Sequence, residues 1–346
     1  MQRFLPALAS LLFLTTVHAG SLIADDSSAV VLVYHRFGED TVPSTNIRLD
    51  QFDRQLAHIQ NGTFNFLPLE EIVRRLKNNE PLPDRTLAFT VDDAYRSALL
   101  EAWPRLKAAG IPMTLFVSTD PVDAGTNGYM SWDDIRALQA DGVTIGHHGA
   151  GHIHMQHAGL EAAEADIERA SRRFQAELGM VPKLFAFPYG EYDMALKNMV
   201  VEKGFFGAFS QMSGAAGFAS DPHSLPRFPV NEKYGSIGRF KLISSTKALP
   251  MRDIIPESPV ITADRNPPLP GFTLTDTTIS LKYMQCFPSH MDQPANLVRV
   301  GNNRYEIRFA DPFPPGRNRI NCTARDRDGR WFWFGRFFLV PGAALD

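Results

Sequence analysis

Val30-Val31-Leu32-Val33-Tyr34 is the stretch on which the architecture turns. Five consecutive apolar residues, three of them β-branched valines, leave no polar face. The strand they form must be covered on both sides, as in a parallel sheet layered with helices. Downstream, strand and helix patterns alternate. Helical spacing runs over Leu49 to Ile59, Pro68 to Leu76, Ser97 to Ala109, Leu160 to Leu178 and Asp193 to Glu202, with Gly110 and Gly179 as stops. Strands read over Thr86 to Val91, Met113 to Val117, Val143 to Ile145, Leu184 to Phe187 and Phe205 to Phe209. Ser131-Trp132-Asp133-Asp134 is a variant capping box that opens a further helix. This alternation predicts an α/β domain over residues 29–250, its mostly parallel sheet open or closed into a barrel.

The pattern changes near Pro250. Six prolines between Pro250 and Pro270 predict an extended linker over 251–271. Beyond it the period becomes two. Phe272 to Leu281, Leu297 to Val300, Tyr305 to Phe309, Ile320 to Ala324 and Trp331 to Val340 read as strands of a small all-β, sandwich-like domain over 272–346. Trp331 and Trp333 share one face of their strand and Phe332 and Phe334 the other. Aromatics on both faces favour core over a sugar-stacking platform.

The chain has 346 residues, with 35 basic and 38 acidic side chains for a net charge of −3. Its 44% hydrophobic and 21% charged residues are a globular balance, which excludes a mainly disordered chain. The lack of basic excess excludes a nucleic-acid binder that lives on phosphate contacts. Arg3, an apolar run from Phe4 to Val17 and a small residue at Ala19 read as a signal peptide over residues 1–19, too short for a membrane span. Export to the periplasm or the medium follows, with no stable membrane span. In that oxidising setting Cys286 and Cys322, the only cysteines, predict one disulfide.

Three clusters at predicted strand ends carry chemistry. In Thr90-Val91-Asp92-Asp93-Ala94, two adjacent carboxylates close an apolar strand. Like charges so close call for a cation between them or a perturbed base, though one can equally serve as a helix N-cap. In Gly146-His147-His148-Gly149-Ala150-Gly151-His152-Ile153-His154, with His157 beyond, five of the ten histidines fall within eleven residues. In a strand His148 and His152 would stand about 13 Å apart. A loop made pliable by its glycines can fold both onto one ion. In Phe185-Ala186-Phe187-Pro188-Tyr189-Gly190, Pro188 and Gly190 set a turn that can leave the N–H near Tyr189 facing a ligand. Asp93, His148 and His152 would make three protein ligands with a fourth position open. Zn²⁺ suits that set, as do Co²⁺, Ni²⁺ and Fe²⁺.

The order and spacing of these clusters resemble the NodB-type polysaccharide deacetylases, carbohydrate esterase family 4. That family carries Thr-Phe-Asp-Asp-Gly, His-x-x-x-His and Pro-Tyr-Gly motifs, and Thr90 to Ala94, His148 to His152 and Pro188 to Gly190 match them. Val33-Tyr34-His35 and the Phe-Ala-Phe-Pro-Tyr-Gly wording look most like the branch acting on poly-N-acetylglucosamine. The likeness spans roughly Val30 to Val230. It implies a distorted (β/α) barrel and a metal-dependent hydrolase that removes N-acetyl groups from a polysaccharide containing N-acetylglucosamine, with a water on the metal as nucleophile. Asp92 would be the general base, Asp93, His148 and His152 the metal ligands, and the Tyr189 N–H the oxyanion donor. Pro188, Tyr189 and His35 would lie against substrate. The departures are specific. Ala94 replaces the family's glycine, a mild change if its φ is negative. Gly149 and Gly151 replace hydroxyl residues and leave that loop looser. Ala186 stands where many members have an arginine that supports the base, a role Arg227 could take. The general acid stays open between His223 and His35. Other readings remain: a non-catalytic glycan-binding protein on this scaffold, a deacetylase of peptidoglycan or xylan, or a glycoside hydrolase using Asp92, which leaves the histidines unexplained.

Overall fold

The computed structural model describes residues 27–276, 279, 281–326 and 328–342; the expected signal peptide lies outside them. Six parallel strands make up the body of a nine-stranded first sheet: β1 (Ser28–Tyr34), β2 (Thr86–Asp92), with the short strand Asn65–Phe66 paired to it, β3 (Met113–Val117), β4 (Thr144–His147), β5 (Leu184–Ala186) and β6 (Gly207–Phe209). They lie side by side in that order, and Ala216–Gly217 and Phe228–Pro229 also pair with β1. Every residue of β1 is buried. Val30, Leu32 and Tyr34 face the outer helices with Phe52 and Leu56, while Ala29 and Val31 share a second core with Ala88, Phe116 and Phe209. Burial on both faces is what the unbroken apolar run demands, each such side chain contributing about 1.5–3 kcal/mol.

The sheet curls into an incomplete barrel. Phe209 bridges to Leu225, and three residues later Phe228 pairs with Leu32 of β1. The segment 225–229 therefore spans the seam between β6 and β1. Around the sheet lie α1 (Leu49–Gln60), α2 (Leu69–Lys77), α3 (Trp103–Ala108), α4 (Trp132–Ala140), α5 (Leu160–Leu178) and α6 (Met194–Glu202). Ser131 caps α4 with the expected reciprocal capping box. The helix expected from Ser97 differs: Ala98–Ala102 is a π-helical turn, with the Trp103 N–H bonded to the Ala98 carbonyl. Pro104 accounts for this, because it has no N–H and its ring crowds the carbonyl four residues earlier, which widens the turn.

The second region packs a four-stranded sheet on a three-stranded one. The first comprises β7 (Met251–Ile255), β8 (Gly271–Leu274), β10 (Asn296–Arg299) and β11 (Arg304–Arg308). The second comprises β9 (Gln285–Pro288), β12 (Gly316–Arg325) and β13 (Trp331–Val340). Three sequence expectations change here. The proline-rich stretch is not all linker, since Met251–Ile255 is an edge strand paired with β8. Phe272 to Leu281 shortens to Gly271–Leu274. Gln285–Pro288 adds a strand and brings Cys286 opposite Cys322, where the two form the expected disulfide.

Both faces of β13 are covered. Phe332, Phe334 and Phe338 enter the sandwich core, while half-buried Trp333 meets Phe228 and Phe337 meets Tyr192 of the barrel. The two regions touch closely at Gly335, where an added Cβ would stand 1.7 Å from the Ser213 carbonyl oxygen. Only glycine allows this approach. Gly335→Ala is expected to force the regions apart and destabilise the protein by about 1–3 kcal/mol, read as a lowered Tm and faster proteolysis near residue 250.

Candidate active site

Pairing register sets the site. Asp92, the last residue of β2, lies opposite Phe116, and Val117 lies opposite His147. The C-terminal ends of β2, β3 and β4 therefore finish at one level, where parallel α/β sheets present their sites. After β2 the chain turns through two left-handed residues, Asp93 (φ 74°) and Ala94 (φ 63°). That turn replaces the strand's alternation and brings both carboxylates toward one point. Ala94 thus fails the condition for a mild replacement: its Cβ carries the strain that glycine avoids.

Asp92 and Arg227 are both fully buried. Arg227 Nη1 donates to Asp92 Oδ1 at 2.7 Å and Nη2 to Oδ2 at 2.8 Å. Arg227 also donates to the Thr90 hydroxyl and the Ser210 carbonyl, and its guanidinium lies 5.3 Å from the Phe116 ring centroid. It occupies the seam segment, so the closure of the barrel delivers the cation inside. Burial pushes the Asp92 carboxyl up, but Arg227 and then His148 outweigh it and hold it below the ordinary value. Ala186, where family members carry arginine, instead offers its carbonyl to His148 Nδ1 at 2.7 Å.

That bond places the His148 proton on Nδ1 and turns Nε2 inward. Nε2 lies 3.4 Å from Asp93 Oδ1, and His152 Nε2 lies 3.3 Å from the same oxygen. The candidate ligand atoms of Asp93, His148 and His152 all fall within 4.8 Å of one another. His148 Nε2 and Asp93 Oδ1 are buried without a hydrogen-bond partner. Burying such atoms unpaired is costly. Their convergence with a second imidazole fits one divalent cation. Burial pushes His152 down to about 4, which favours the neutral imidazole a cation needs.

The histidine loop is not loose. Asp166, a buried acid on α5, accepts from the Ala150 N–H at 2.7 Å and the Gly151 N–H at 2.9 Å, and Ser118 donates to the His148 carbonyl. Gly149 (φ 71°) lets the loop approach Asp166: an added Cβ would stand 2.6 Å from its carboxylate. The signal for this tie was Asp166 itself, a charge among the apolar positions of α5. The other histidines divide. His147 is enclosed by Phe174, Phe185 and Phe205 rings and pushed down to about 3 by burial, a core residue. His154 hydrogen-bonds Glu191 and stacks on the Tyr189 ring.

A cleft of about 720 Å³ opens over Asp93 and His152, and His35 and Tyr189 line it. Pro188 is buried in the turn and is absent from the cleft wall. His223 is also absent: its Nε2 lies 3.0 Å from the carbonyl of Phe205, which precedes β6, at the opposite end of the barrel from Asp92. Sequence reasoning missed the facing wall, built by Arg317, Arg319, Asn321 and Trp333 of the second region. Strand alternation could have put Arg317, Arg319 and Asn321 on one face of β12, but nothing local said what that face meets.

A curled parallel barrel with an Asp-His-His cluster and a buried Asp–Arg pair at its mouth defines the class. Residues 79–207 match the family model for polysaccharide deacetylase. It is 17% identical over 201 residues to YxkH of Bacillus subtilis (strain 168), named for the polysaccharide deacetylases, covering 58% of this chain and 71% of that one. Among solved structures it resembles the Streptococcus pyogenes deacetylase PplD in complex with acetate (TM-score 0.58, 20% identity, 62% of this chain and 97% of that one). IcaB from Ammonifex degensii is similar (TM-score 0.57, 22% identity, 64% and 99%).

Two stability tests follow. Arg227→Met leaves Asp92 buried without its partner and is expected to cost about 3–5 kcal/mol in denaturant unfolding at neutral pH. Because the folded-state carboxyl is held low, this loss is present above the ordinary carboxylate range and fades as pH falls through the depressed value. Ala94→Gly removes left-handed strain of about 1–2 kcal/mol, which offsets the loss of one buried methyl group (about 0.8 kcal/mol) and glycine's unfolded-state entropy (about 0.4–1 kcal/mol), so Tm is expected to stay nearly unchanged, unlike the clear fall that Ala→Gly gives at a buried site with negative φ.

Proposed function

We propose that the chain is a metal-dependent hydrolase that removes N-acetyl groups from an exported polysaccharide containing N-acetylglucosamine. One observation carries the reading: an arginine-held carboxylate, Asp92, is buried beside the convergent Asp93, His148 and His152, of which Asp93 and His152 line an open cleft. Asp93, His148 and His152 would hold the cation, Zn²⁺ in first place with Co²⁺, Ni²⁺ and Fe²⁺ compatible. When bound, such an ion supplies Lewis acidity to an acetyl carbonyl and acidity to water.

The chain's own residues do the rest. Asp92 Oδ2 lies 3.9 Å from His148 Nε2. A carboxylate accepts at about four lone-pair positions, so two Arg227 bonds leave room for a water proton. Ionised at neutral pH, Asp92 takes that proton as general base. The Tyr189 N–H donates to the carbonyl oxygen as negative charge develops there. With His223 at the far end, His35 is the histidine at hand to return a proton to the departing sugar nitrogen. The products are acetate and a free amine. The disulfide suits an oxidising compartment, consistent with export. The acetate in PplD, a relative by fold, is in keeping with this product.

Acetate release from N-acetylglucosamine oligomers tests the reading. Release should vanish on chelation and return with Zn²⁺. Asp92→Asn should lower it by about 10²–10⁴-fold, while Zn²⁺ affinity measured by calorimetry stays in place. His148→Ala should abolish both. Metal binding with release only from peptidoglycan or acetylated xylan would reassign the substrate. Absence of both metal binding and release would leave a glycan-binding protein.

A further inference from the structure

Tyr189 occupies a conformation that an aromatic residue rarely holds, with φ 58° and ψ 1°. Backbone of this kind persists where its surroundings over-determine it, and it gathers at functional sites. On the barrel side the restraints are plain. The Gly190 N–H donates to the Phe187 carbonyl at 2.8 Å. Gly190 packs so tightly that an added Cβ would stand 2.2 Å from the Gln211 nitrogen. The Tyr189 ring is stacked on His154, with centroids 3.6 Å apart and planes 6° apart, and lies tilted against His152 with centroids 4.5 Å apart.

The remaining restraint comes from the second region. Arg317 Nη1, on β12, donates to the Tyr189 carbonyl oxygen. The same nitrogen lies 3.6 Å from Glu191 Oε1, and Glu191 Oε2 lies 3.0 Å from His154 Nδ1. These contacts form a closed circuit. Arg317 holds the Tyr189 carbonyl directly and its ring indirectly, through Glu191 and His154. Glu191 is a buried acid that the reaction otherwise leaves without work. The circuit also gives His154, within the dense histidine run, a place outside the cation cluster. Gly335, clamped against Ser213, fixes the strand beside β12 on the barrel and so fixes where Arg317 arrives.

We infer that Arg317 is a positioning residue for the deacetylation site. It holds residue 189 in its left-handed conformation and thereby aims the Tyr189 N–H into the cleft, so the second region completes the site rather than merely following it. The inference rests on the proposed role of that N–H. Arg317 is not a catalytic residue, because it acts through the backbone of Tyr189.

Two readouts separate this role from a general loss of structure. In the full-length protein loaded with Zn²⁺, Arg317→Ala should lower kcat for acetate release by about 10–100-fold, part of what removal of an oxyanion donor costs. KM should change less than about threefold, and Zn²⁺ affinity should not change. Arg317→Lys, which retains one charged donor, should recover part of kcat. Unchanged kcat, or an effect confined to KM, overturns the inference. The second readout needs no activity. In protein labelled with ¹⁵N-tyrosine, Arg317→Ala should shift or broaden the Tyr189 amide signal, assigned by Tyr189→Phe, while the other tyrosine signals stay in place. An unmoved Tyr189 signal overturns it, as does a shift of all tyrosines together, which would mean that the two regions had separated. If the wild type releases no acetate but the Tyr189 signal responds alone, the substrate reading fails and the positioning of residue 189 by Arg317 stands.

Discussion

The structure depends on one buried ion pair, Asp92 with Arg227. Two fully buried charges are expensive in a protein interior, and their attraction offsets that cost only with good geometry and further hydrogen bonds. Here the geometry is bidentate, and Thr90 and Ser210 accept from two more of the guanidinium's donors. The pair also joins elements far apart in sequence. Asp92 ends the second strand of the barrel, and Arg227 lies in the segment that bridges the last strand back to the first. Closing the sheet and seating Asp92 are the same event. A barrel that failed to close would leave Asp92 as an uncompensated charge among Phe116, His148 and Asp93.

The second constraint is the turn after Asp92. A regular strand sends neighbouring side chains to opposite faces. Left-handed backbone at Asp93 and Ala94 breaks that alternation and lets one carboxylate face Arg227 while its neighbour faces the two imidazoles. The same device recurs at His152 and Tyr189, both with positive φ. Non-glycine residues in this region cost free energy, and each here is held by specific contacts. Asp166 ties the histidine loop, and the His154–Glu191–Arg317 circuit holds the Tyr189 turn. The strain is concentrated where the chain must present side chains and backbone groups that regular elements would turn away.

Much of this was legible in the sequence, for physical reasons. An all-apolar strand such as Val30–Tyr34 has one environment that suits it, so β1 and the barrel follow. Capping chemistry at Ser131 and the stop at Gly179 are local and fixed helix ends closely. The Asp92-Asp93, His148–His152 and Pro188–Gly190 clusters were readable because each is contiguous and ends a strand. Local reading failed where a neighbour's demand outweighed propensity. Pro104 widened the turn before it. Prolines around 250–270 hid an edge strand, because proline excludes central strands but tolerates edges. The cost of Ala94 turned on the sign of its φ, which the turn after Asp92 makes positive and which no local pattern carries. Pro188 and His223 sit in the right stretch of sequence, yet one is buried in its turn and the other serves the opposite end of the barrel.

What could not be read was the wall of the cleft. Arg317 meets Tyr189 across 128 residues, and no periodicity carries information over that span. Strand alternation does say that Arg317, Arg319 and Asn321 share a face. A face of β12 that carries two arginines and an asparagine is a poor candidate for packing against an apolar core. It is a good one for meeting backbone carbonyls and a polar cleft. Trp333 and Phe337 on the neighbouring strand supply the apolar contacts to the barrel, so β12 is free to be polar. These two paired strands, β13 docking on the barrel and β12 with Trp333 lining the cleft, bring a small β region up to a barrel mouth that holds the Asp93, His148 and His152 cluster and the buried Asp92.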